Sequence, residues 1–350
     1  ELFETHDRHR FELFAFSTGP ETGDPLRARL KAAFDHFIDV TYSTDKEVAQ
    51  LAREHRIDIA IDLGGHTQDA RVGVFAYRAA PIQLSYIGYL GTMGAEYYDY
   101  LLADRTLIPE ASQGDYSEKI AYLPSYQVND SKRQIADRVF TRQELGLPEQ
   151  GFVFCCFNNN YKITPSTFDR WMRILNAVPD SVLMLYVGNE TAHENLRKET
   201  QQRGVAPERV VFADRLPYEE HLARYRAMDL FLDTLPYNAG ATASDALWVG
   251  LPVLTLMGES FASRYAASLL NAVQLPELIT STADQYEALA IDLATHPEKL
   301  EVLKAKLQHN RLKSPLFDTQ GFTRNLEAAY IAMYERYLAD LPPDHLQVDG

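Results

Sequence analysis

Two segments of this 350-residue chain share a pattern that limits the folds it can adopt. In residues 152–177 and again in residues 230–249, an apolar strand is followed by a loop of small or amide residues and then by a capped helix. This connection directs backbone N–H groups and the positive end of the helix dipole toward one point, which is how α/β proteins hold phosphate. A nucleotide-sugar site in an α/β fold is therefore the working hypothesis.

Short apolar strands alternate with helical segments along most of the chain, which predicts parallel βαβ units. The composition turns polar over residues 125–150, as expected of a segment that links two domains. We predict two unequal Rossmann-like domains facing each other across a cleft, with a ligand at the carboxyl ends of the strands. The predicted limits are 1–136 for the N-terminal domain and 137–320 for the nucleotide-sugar-binding domain. After a helical block at 284–312, a C-terminal helix at 321–342 is expected to pack back toward the N-terminal domain.

The composition argues against several classes of protein. Hydrophobic residues make up 46% of the chain and charged residues 24%, as in soluble globular proteins. No apolar run approaches the roughly 20 residues of a membrane span and no signal peptide is visible, so we expect a cytoplasmic enzyme or binding protein with no membrane partner. The net charge of -15 argues against nucleic acid as a partner. The two cysteines, Cys155 and Cys156, are adjacent in one strand and match no disulfide or metal-binding spacing.

Lys162 is the first candidate for chemistry. It lies just before Thr164, a favourable N-cap, and Pro165, a residue suited to the first helical position. A lysine beside the positive end of a helix is unfavourable unless an anion lies between them, so its position indicates a diphosphate site. The alternative is an ordinary solvated loop lysine. Three consecutive asparagines at residues 158–160 add neutral donors beside it and favour the functional interpretation.

The loop before the helix at 242–249 is the second candidate. Residues 238–242 are all small, hydroxylated or amide residues, which let an anion approach the exposed N–H groups at the helix start. The alternative is a tight β-α turn with an Asx cap. Asp245 is either a partner of the helix dipole or an acceptor for ribose hydroxyls. His221 is either a surface or capping histidine, or an imidazole that stacks on a base at the same sheet edge.

Two further patterns concern the type of reaction. Gly88, Gly91 and Gly94 have G-x-x-G-x-x-G spacing, which is not the dinucleotide fingerprint and argues against a dehydrogenase. The chain contains no Asp-x-Asp pair, by which many sugar-nucleotide enzymes hold a divalent metal. We therefore expect any glycosyl transfer to need no metal or other cofactor, with the leaving-group charge on Lys162 and the helix dipole.

Many ordered motifs make the chain similar to one family over essentially its whole length. They lie at residues 62–67 (DLGGHT), 78–83 (RAAPIQ), 88–95 (GYLGTMGA), 116–119 (YSEK), 157–165 (FNNNYKITP), 233–238 (DTLPYN), 243–248 (ASDALW) and 258–268 (GESFASRYAAS). The chain resembles the catalytic region of the O-linked N-acetylglucosamine transferases and their SPINDLY relatives, glycosyltransferase family 41. The resemblance implies a GT-B fold and inverting, metal-independent transfer of N-acetylglucosamine from UDP-GlcNAc to Ser or Thr hydroxyls of proteins.

The resemblance also implies roles for individual residues. Lys162 would hold the diphosphate and stabilise its departure. The nucleotide would be bound by Asn159, Tyr161, the Leu216 backbone, Tyr218, His221 packing on the base, the backbone of Gly240, Ala241 and Thr242, and Asp245 on the ribose. Gly88 and Tyr237 would contact the sugar. No metal ligand is expected.

The sequence departs from the family at several positions. The family often has Lys where Tyr218 stands and His-Thr where Gly240 and Ala241 stand, so base, ribose and sugar contacts are expected to differ. Leu90 stands in place of a usual proline. The family's first strand, with a histidine proposed as general base, is expected before Glu1, as are substrate-selecting TPR repeats. Two alternatives stay open: protein O-fucosyl transfer from GDP-fucose, since SPINDLY-type relatives share these motifs, or a truncated domain that binds nucleotide sugar without transferring it.

Overall fold

The computed structural model describes residues 1–348. By its internal contacts the chain divides into two compact units. Unit 1 contains residues 1–131 and the C-terminal segment that begins at Asp318, and unit 2 contains Lys132–Phe317. Each unit is built from parallel β-sheets and helices, so the α/β prediction is confirmed.

The first part of unit 1 alternates short strands and helices. In chain order these are α1 (Leu2–Thr5), β1 (Phe14–Ser17), α2 (Pro25–Ala33), β2 (His36–Asp39), α3 (Asp45–Glu54), β3 (Ile59–Asp62), α4 (Gly73–Ala76), β4 (Ile82–Ser85), β5 (Tyr100–Ala103) and β6 (Lys119–Tyr122). Strands β1 and β2 form a separate two-stranded parallel sheet. Strand β1 begins four residues later than the alternation from residue 10 predicts.

Unit 2 repeats the alternation with longer helices. Its elements are β7 (Val153–Cys156), α5 (Pro165–Ala177), β8 (Val182–Tyr186), α6 (Glu190–Gln202), β9 (Val210–Ala213), α7 (Tyr218–Arg224), β10 (Leu230–Leu232), α8 (Ala241–Val249), β11 (Val253–Leu256), α9 (Phe261–Ala272), β12 (Ile279–Thr280), α10 (Ala283–Thr295) and α11 (Pro297–Arg311). The helical block predicted at 284–312 is therefore two helices. They separate at Pro297, which lacks an N–H group and begins a new helix.

The chain then returns to unit 1 through α12 (Thr319–Leu338) and β13 (Leu346–Gln347). Strand β13 pairs with β6, so the five-stranded parallel sheet has the order β13-β6-β5-β4-β3. Helix α12 packs within unit 1, where the Phe322 ring lies 6.4 Å from that of Tyr86 and Glu327 Oε1 lies 2.9 Å from His6 Nδ1.

The six strands of unit 2 form one parallel sheet with the order β12-β11-β10-β7-β8-β9. Helices cover such a sheet on both faces, and for this reason β7, β10 and β11 are entirely buried. Strands β7 and β10 are direct neighbours, with Phe154 opposite Leu230 and Cys155 opposite Phe231. The loops that follow these two strands therefore emerge side by side at the carboxyl edge of the sheet. No helix within residues 1–348 is both long and apolar enough to cross a lipid bilayer.

Candidate active site

The loop after β7 places Lys162 against the loop after β10. A single 3-10 turn, Asn160–Lys162, follows the strand, and Thr164 then caps α5 by accepting a hydrogen bond from Thr167 N at 3.2 Å. Lys162 Nζ donates to the backbone oxygen of Asn238 at 3.0 Å and lies 3.8 Å from the centre of the Tyr237 ring. The predicted Thr164 cap is thus confirmed, and the structure brings Lys162 to the segment that leads into α8.

The start of α8 is open. Gly240 is its N-cap residue and no side chain caps the helix, so the alternative of an Asx-capped turn is wrong. The side chain of Asn238 turns away from the helix and donates to Thr234 O at 2.7 Å. Because the first N–H groups of a helix have no partner within it, this end carries partial positive charge toward an incoming anion. A side chain at Gly240 would place its Cβ only 2.9 Å from the Tyr265 ring, which favours glycine there.

Asn158 joins the two loops. Its Nδ2 donates to Thr234 Oγ1 at 2.8 Å, and its Oδ1 accepts from the Thr242 hydroxyl in the first turn of α8. Asn158 is 2% exposed, whereas Asn159 is exposed and the Tyr161 side chain is 72% exposed. The sequence predicts the same donor role for all three asparagines. Because Asn158 is buried and bonds to Thr234 and Thr242, it instead connects the loop after β7 to the loop after β10.

Burial shifts the ionisation of two groups here. The pKa of Lys162 is lowered to about 8 by burial, against the opposing influence of the Asp233 carboxylate. Burial also raises the pKa of Asp233 to about 6, although Thr255 and two backbone N–H groups stabilise its charge. A half-buried lysine with a pKa near neutrality gains proton affinity when an anion arrives. Binding of a phosphate group beside Lys162 would therefore raise its pKa and favour the charged ammonium form.

Asp245 lies one turn into α8 and is buried. Its Oδ1 accepts hydrogen bonds from Tyr218 OH and Arg133 Nη1, both at 2.7 Å, and Arg133 Nη1 also lies 3.2 Å from Tyr218 OH. Burial raises the pKa of Asp245 despite these partners. The structure thus joins two predicted nucleotide-binding residues, Tyr218 and Asp245. Sequence reasoning missed Arg133, because 112 residues separate it from Asp245 and no local pattern connects them.

His221, in α7, is held as a neutral ring. It packs edge-on against Phe157 and Tyr225, with ring centres 5.4 and 5.1 Å apart. The Arg224 guanidinium donates to His221 Nδ1, which places the imidazole proton on Nε2. Burial, with the Arg224 charge, lowers the pKa of His221 to about 4. Phe157 directly follows β7, so this ring belongs to the same edge of the sheet as Lys162, and Leu216 lies in the loop between β9 and α7.

We expect the His221 imidazole to stay uncharged throughout the neutral range. A proton on this ring would be buried beside a guanidinium, so protonation should begin only as the pH approaches about 4. Long-range 1H–15N NMR spectra of the ring nitrogens, recorded during an acid titration, measure this directly. A midpoint near 6.5, the ordinary histidine value, would contradict the arrangement.

Gly88 lies in unit 1, in the loop after β4. A Cβ at this position would lie 2.0 Å from the backbone oxygen of Leu63, so only glycine fits where the loops after β3 and β4 meet. Nearby, Asp62 accepts from the N–H groups of Gly64 and Gly65, both at 2.9 Å, which shapes the loop after β3. The motifs at residues 62–67 and 88–95 are therefore packed together in unit 1.

The family model described as Glycosyl transferase family 41 matches residues 2–138 and 130–326. The chain belongs to glycosyltransferase family 41. A family 41 relative from Arabidopsis thaliana, named probable UDP-N-acetylglucosamine--peptide N-acetylglucosaminyltransferase SEC, is 36% identical over 99% of this chain. The Petunia hybrida protein named probable UDP-N-acetylglucosamine--peptide N-acetylglucosaminyltransferase SPINDLY is 35% identical over 87% of it. The chain spans 36% and 33% of the lengths of these two relatives.

Solved structures agree with the family 41 assignment. A mutant of the Thermobaculum terrenum O-GlcNAc transferase superposes with a TM-score of 0.88 and 33% identity, covering 97% of this chain and 64% of that one. The Anabaena protein HepE in complex with UDP has a TM-score of 0.60 and 14% identity, covering 91% of this chain and 98% of that one, a likeness of fold alone. The GT-B fold class inferred from the motifs is confirmed. The roles of the individual site residues stay predictions.

Proposed function

We propose that this family 41 domain transfers N-acetylglucosamine from UDP-GlcNAc to Ser or Thr hydroxyls of proteins, with inversion and without a metal. The observation that carries the proposal is the convergence of two positive groups in unit 2. Lys162 Nζ is held by Asn238 O, two residues before Gly240, where the uncapped α8 begins. An ammonium and a helix N-terminus at one point suit the charge of a departing nucleoside diphosphate.

The proposed reaction is a single displacement at the anomeric carbon. The acceptor oxygen forms the new bond to this carbon as the bond to the diphosphate oxygen breaks, UDP leaves with the bonding electrons, and a general base takes the hydroxyl proton. The negative charge that develops on the diphosphate is stabilised by Lys162 and by the backbone N–H groups of Gly240, Ala241 and Thr242. Because these groups supply the positive charge, the rate should be the same with and without EDTA.

The remaining candidates would hold the rest of the donor. We propose that the neutral His221 ring packs on the base while the Leu216 backbone contacts its edge. Asp245 and Tyr218 would hold the ribose. The diphosphate end of the nucleotide would be contacted by Asn159 and Tyr161, which are exposed on the loop before Lys162. Tyr237 would contact the sugar. Acceptor proteins would be selected in the cytoplasm by TPR repeats elsewhere in the full-length protein.

Donor preference gives the test of this proposal. We expect UDP and UDP-GlcNAc to raise the melting temperature and to bind more tightly than GDP or GDP-fucose in calorimetry, since bound ligand stabilises the folded state. Radiolabel from UDP-GlcNAc should appear on Ser- and Thr-containing peptides. Stronger binding and transfer with GDP-fucose would instead indicate a protein O-fucosyltransferase. Binding of UDP-GlcNAc with no transfer to any peptide would indicate a nucleotide-sugar-binding domain.

A further inference from the structure

Asp233 is a buried carboxylate to which the proposed reaction assigns no role. It follows β10 directly and is only 3% exposed. Its carboxylate accepts hydrogen bonds on both oxygens: Oδ1 accepts from Thr234 N and Ala239 N at 2.7 Å and from Asn158 Nδ2 at 3.5 Å, and Oδ2 accepts from Thr255 Oγ1 at 2.7 Å. Burying an ionised carboxylate to this extent costs free energy, so we expect Asp233 to have a role besides shaping the loop.

The carboxylate determines the path of the loop that holds Lys162. Its Oδ1 binds the N–H groups at both ends of residues 234–239, and this closes the loop around the carboxylate. Within that loop, the backbone oxygen of Asn238 accepts the hydrogen bond from Lys162 Nζ at 3.0 Å, and Tyr237 presents its ring to the same ammonium. One buried carboxylate thus sets where the ammonium lies and where α8 begins.

The two charges also support each other electrostatically. The Asp233 carboxylate opposes the burial that lowers the pKa of Lys162, and the Lys162 ammonium opposes the burial that raises the pKa of Asp233. Besides Tyr237, whose ring lies 3.8 Å from Lys162 Nζ, the titratable side chains that face them include Cys156, on β7, and Tyr286, on α10. Burial raises the pKa of Cys156 and the pKa of Tyr286, so both of these side chains are uncharged at neutral pH. Arg170, on α5, lines the same small cavity as Asp233. Asp233 is the group that chiefly opposes the effect of burial on the Lys162 ammonium.

We propose that Asp233 is a positioning residue that keeps Lys162 charged and holds it at the start of α8, an inference that rests on the proposed role of Lys162 at the diphosphate. Without the carboxylate, the half-buried ammonium would lose a proton more readily and would be less available to a departing diphosphate. Asp233 would touch neither donor nor acceptor, and its effect would pass entirely through Lys162 and the loop.

The test is the variant Asp233→Asn, which removes the charge but keeps the shape. The amide oxygen can still accept from Thr234 N and Ala239 N, and the Thr255 hydroxyl can rotate to accept from the amide NH2 group. Thr255→Val is the matched control, because it removes one hydrogen bond to Asp233 while leaving the carboxylate in place. Circular dichroism and thermal melting establish that both variants are folded.

Lys162 ionisation is read by competitive acetylation, because only the uncharged amine reacts with acetic anhydride. The wild-type full chain and both variants are labelled from about pH 6 to about pH 10, and mass spectrometry measures acetylation of the peptide that contains Lys162. We expect a wild-type midpoint near 8, a midpoint about one pH unit lower in Asp233→Asn, and the wild-type midpoint in Thr255→Val. Equal midpoints in wild type and Asp233→Asn, or equal shifts in both variants, would overturn the proposal.

A reciprocal measurement keeps the proposal testable if Asp233→Asn does not fold. Lys162 is only half-buried, so Lys162→Met should leave the fold intact, and loss of its charge should raise the pKa of Asp233 above about 6. The 13C shift of the Asp233 carboxyl reports that pKa, and an unchanged value would count against the pairing. Neither measurement needs turnover. An active Lys162→Met enzyme would therefore refute the proposed leaving-group role without affecting the test of the charge pairing.

Discussion

Lys162→Met should lower the rate of sugar transfer by at least about 100-fold while the protein stays folded. The reason is that one preorganised group beside a developing charge raises kcat by a factor of about 10²–10³. The methionine side chain fills the same space against the Tyr237 ring but cannot donate to Asn238 O or attract a diphosphate. The measurement is steady-state transfer from radiolabelled UDP-GlcNAc to a Ser- or Thr-containing peptide, with the melting temperature recorded in parallel.

The control for this experiment is Lys198→Met, at an exposed lysine on α6 of the same unit. It removes the same charge from the protein and should leave turnover as it is in the wild type. Equal turnover in wild type and Lys162→Met would show that the ammonium does not stabilise the leaving group. A comparable loss in both variants would indicate an effect of net charge on the protein rather than of position.

Asp245→Ala should lower the free energy of unfolding by about 3–5 kcal/mol, because it removes the carboxylate that faces the Arg133 guanidinium. The two side chains are 10% and 14% exposed and lie 2.7 Å apart, so solvent screens the pair only weakly. Urea denaturation of the single variants and of Asp245→Ala/Arg133→Met measures the coupling. We expect the double variant to be less destabilised than the sum of the single variants. Additive effects would show that the pair contributes no interaction energy.

The variant Asp245→Asn tests UDP binding without the loss of stability expected of Asp245→Ala. The amide keeps an acceptor for Tyr218 OH and fills the same space, so the fold should be retained, while the charged acceptor proposed for the ribose hydroxyls is lost. Calorimetry should show weaker UDP binding than in wild type. Asp214→Asn, at an exposed carboxylate in the loop after β9, is the control and should bind UDP as the wild type does. If Asp245→Asn bound UDP as tightly as Asp214→Asn and the wild type, the role of Asp245 would be limited to its structural contact with Arg133.

The motifs predicted some of the contacts in the candidate site and not others. Lys162 and residues 240–242 are 78 or more residues apart, yet the rule that parallel strands end at a common edge predicted their proximity. The same motifs include Asn158 and Asp233, but nothing in the sequence indicated that both would be buried or that Asn158 would bond to the loop after β10. Arg133 lay outside every motif, and only the tertiary contact with Asp245 makes it a part of the site.

The sequence by itself determined the types and order of most strands and helices, the cap at Thr164 and the small residues at the start of α8. These depend on local properties: the spacing of apolar residues, the oxygen of a capping side chain and the small size of Gly240. The sequence did not indicate α4, β12, β13 or the division of the block at 284–312 into α10 and α11. The tertiary structure decided which polar side chains are buried, which face solvent and which charges meet. Burial and charge proximity depend on residues far apart in the chain, so the lowered pKa values of Lys162 and His221, and the raised pKa of Asp233, arise only when the sheet and its helices pack together.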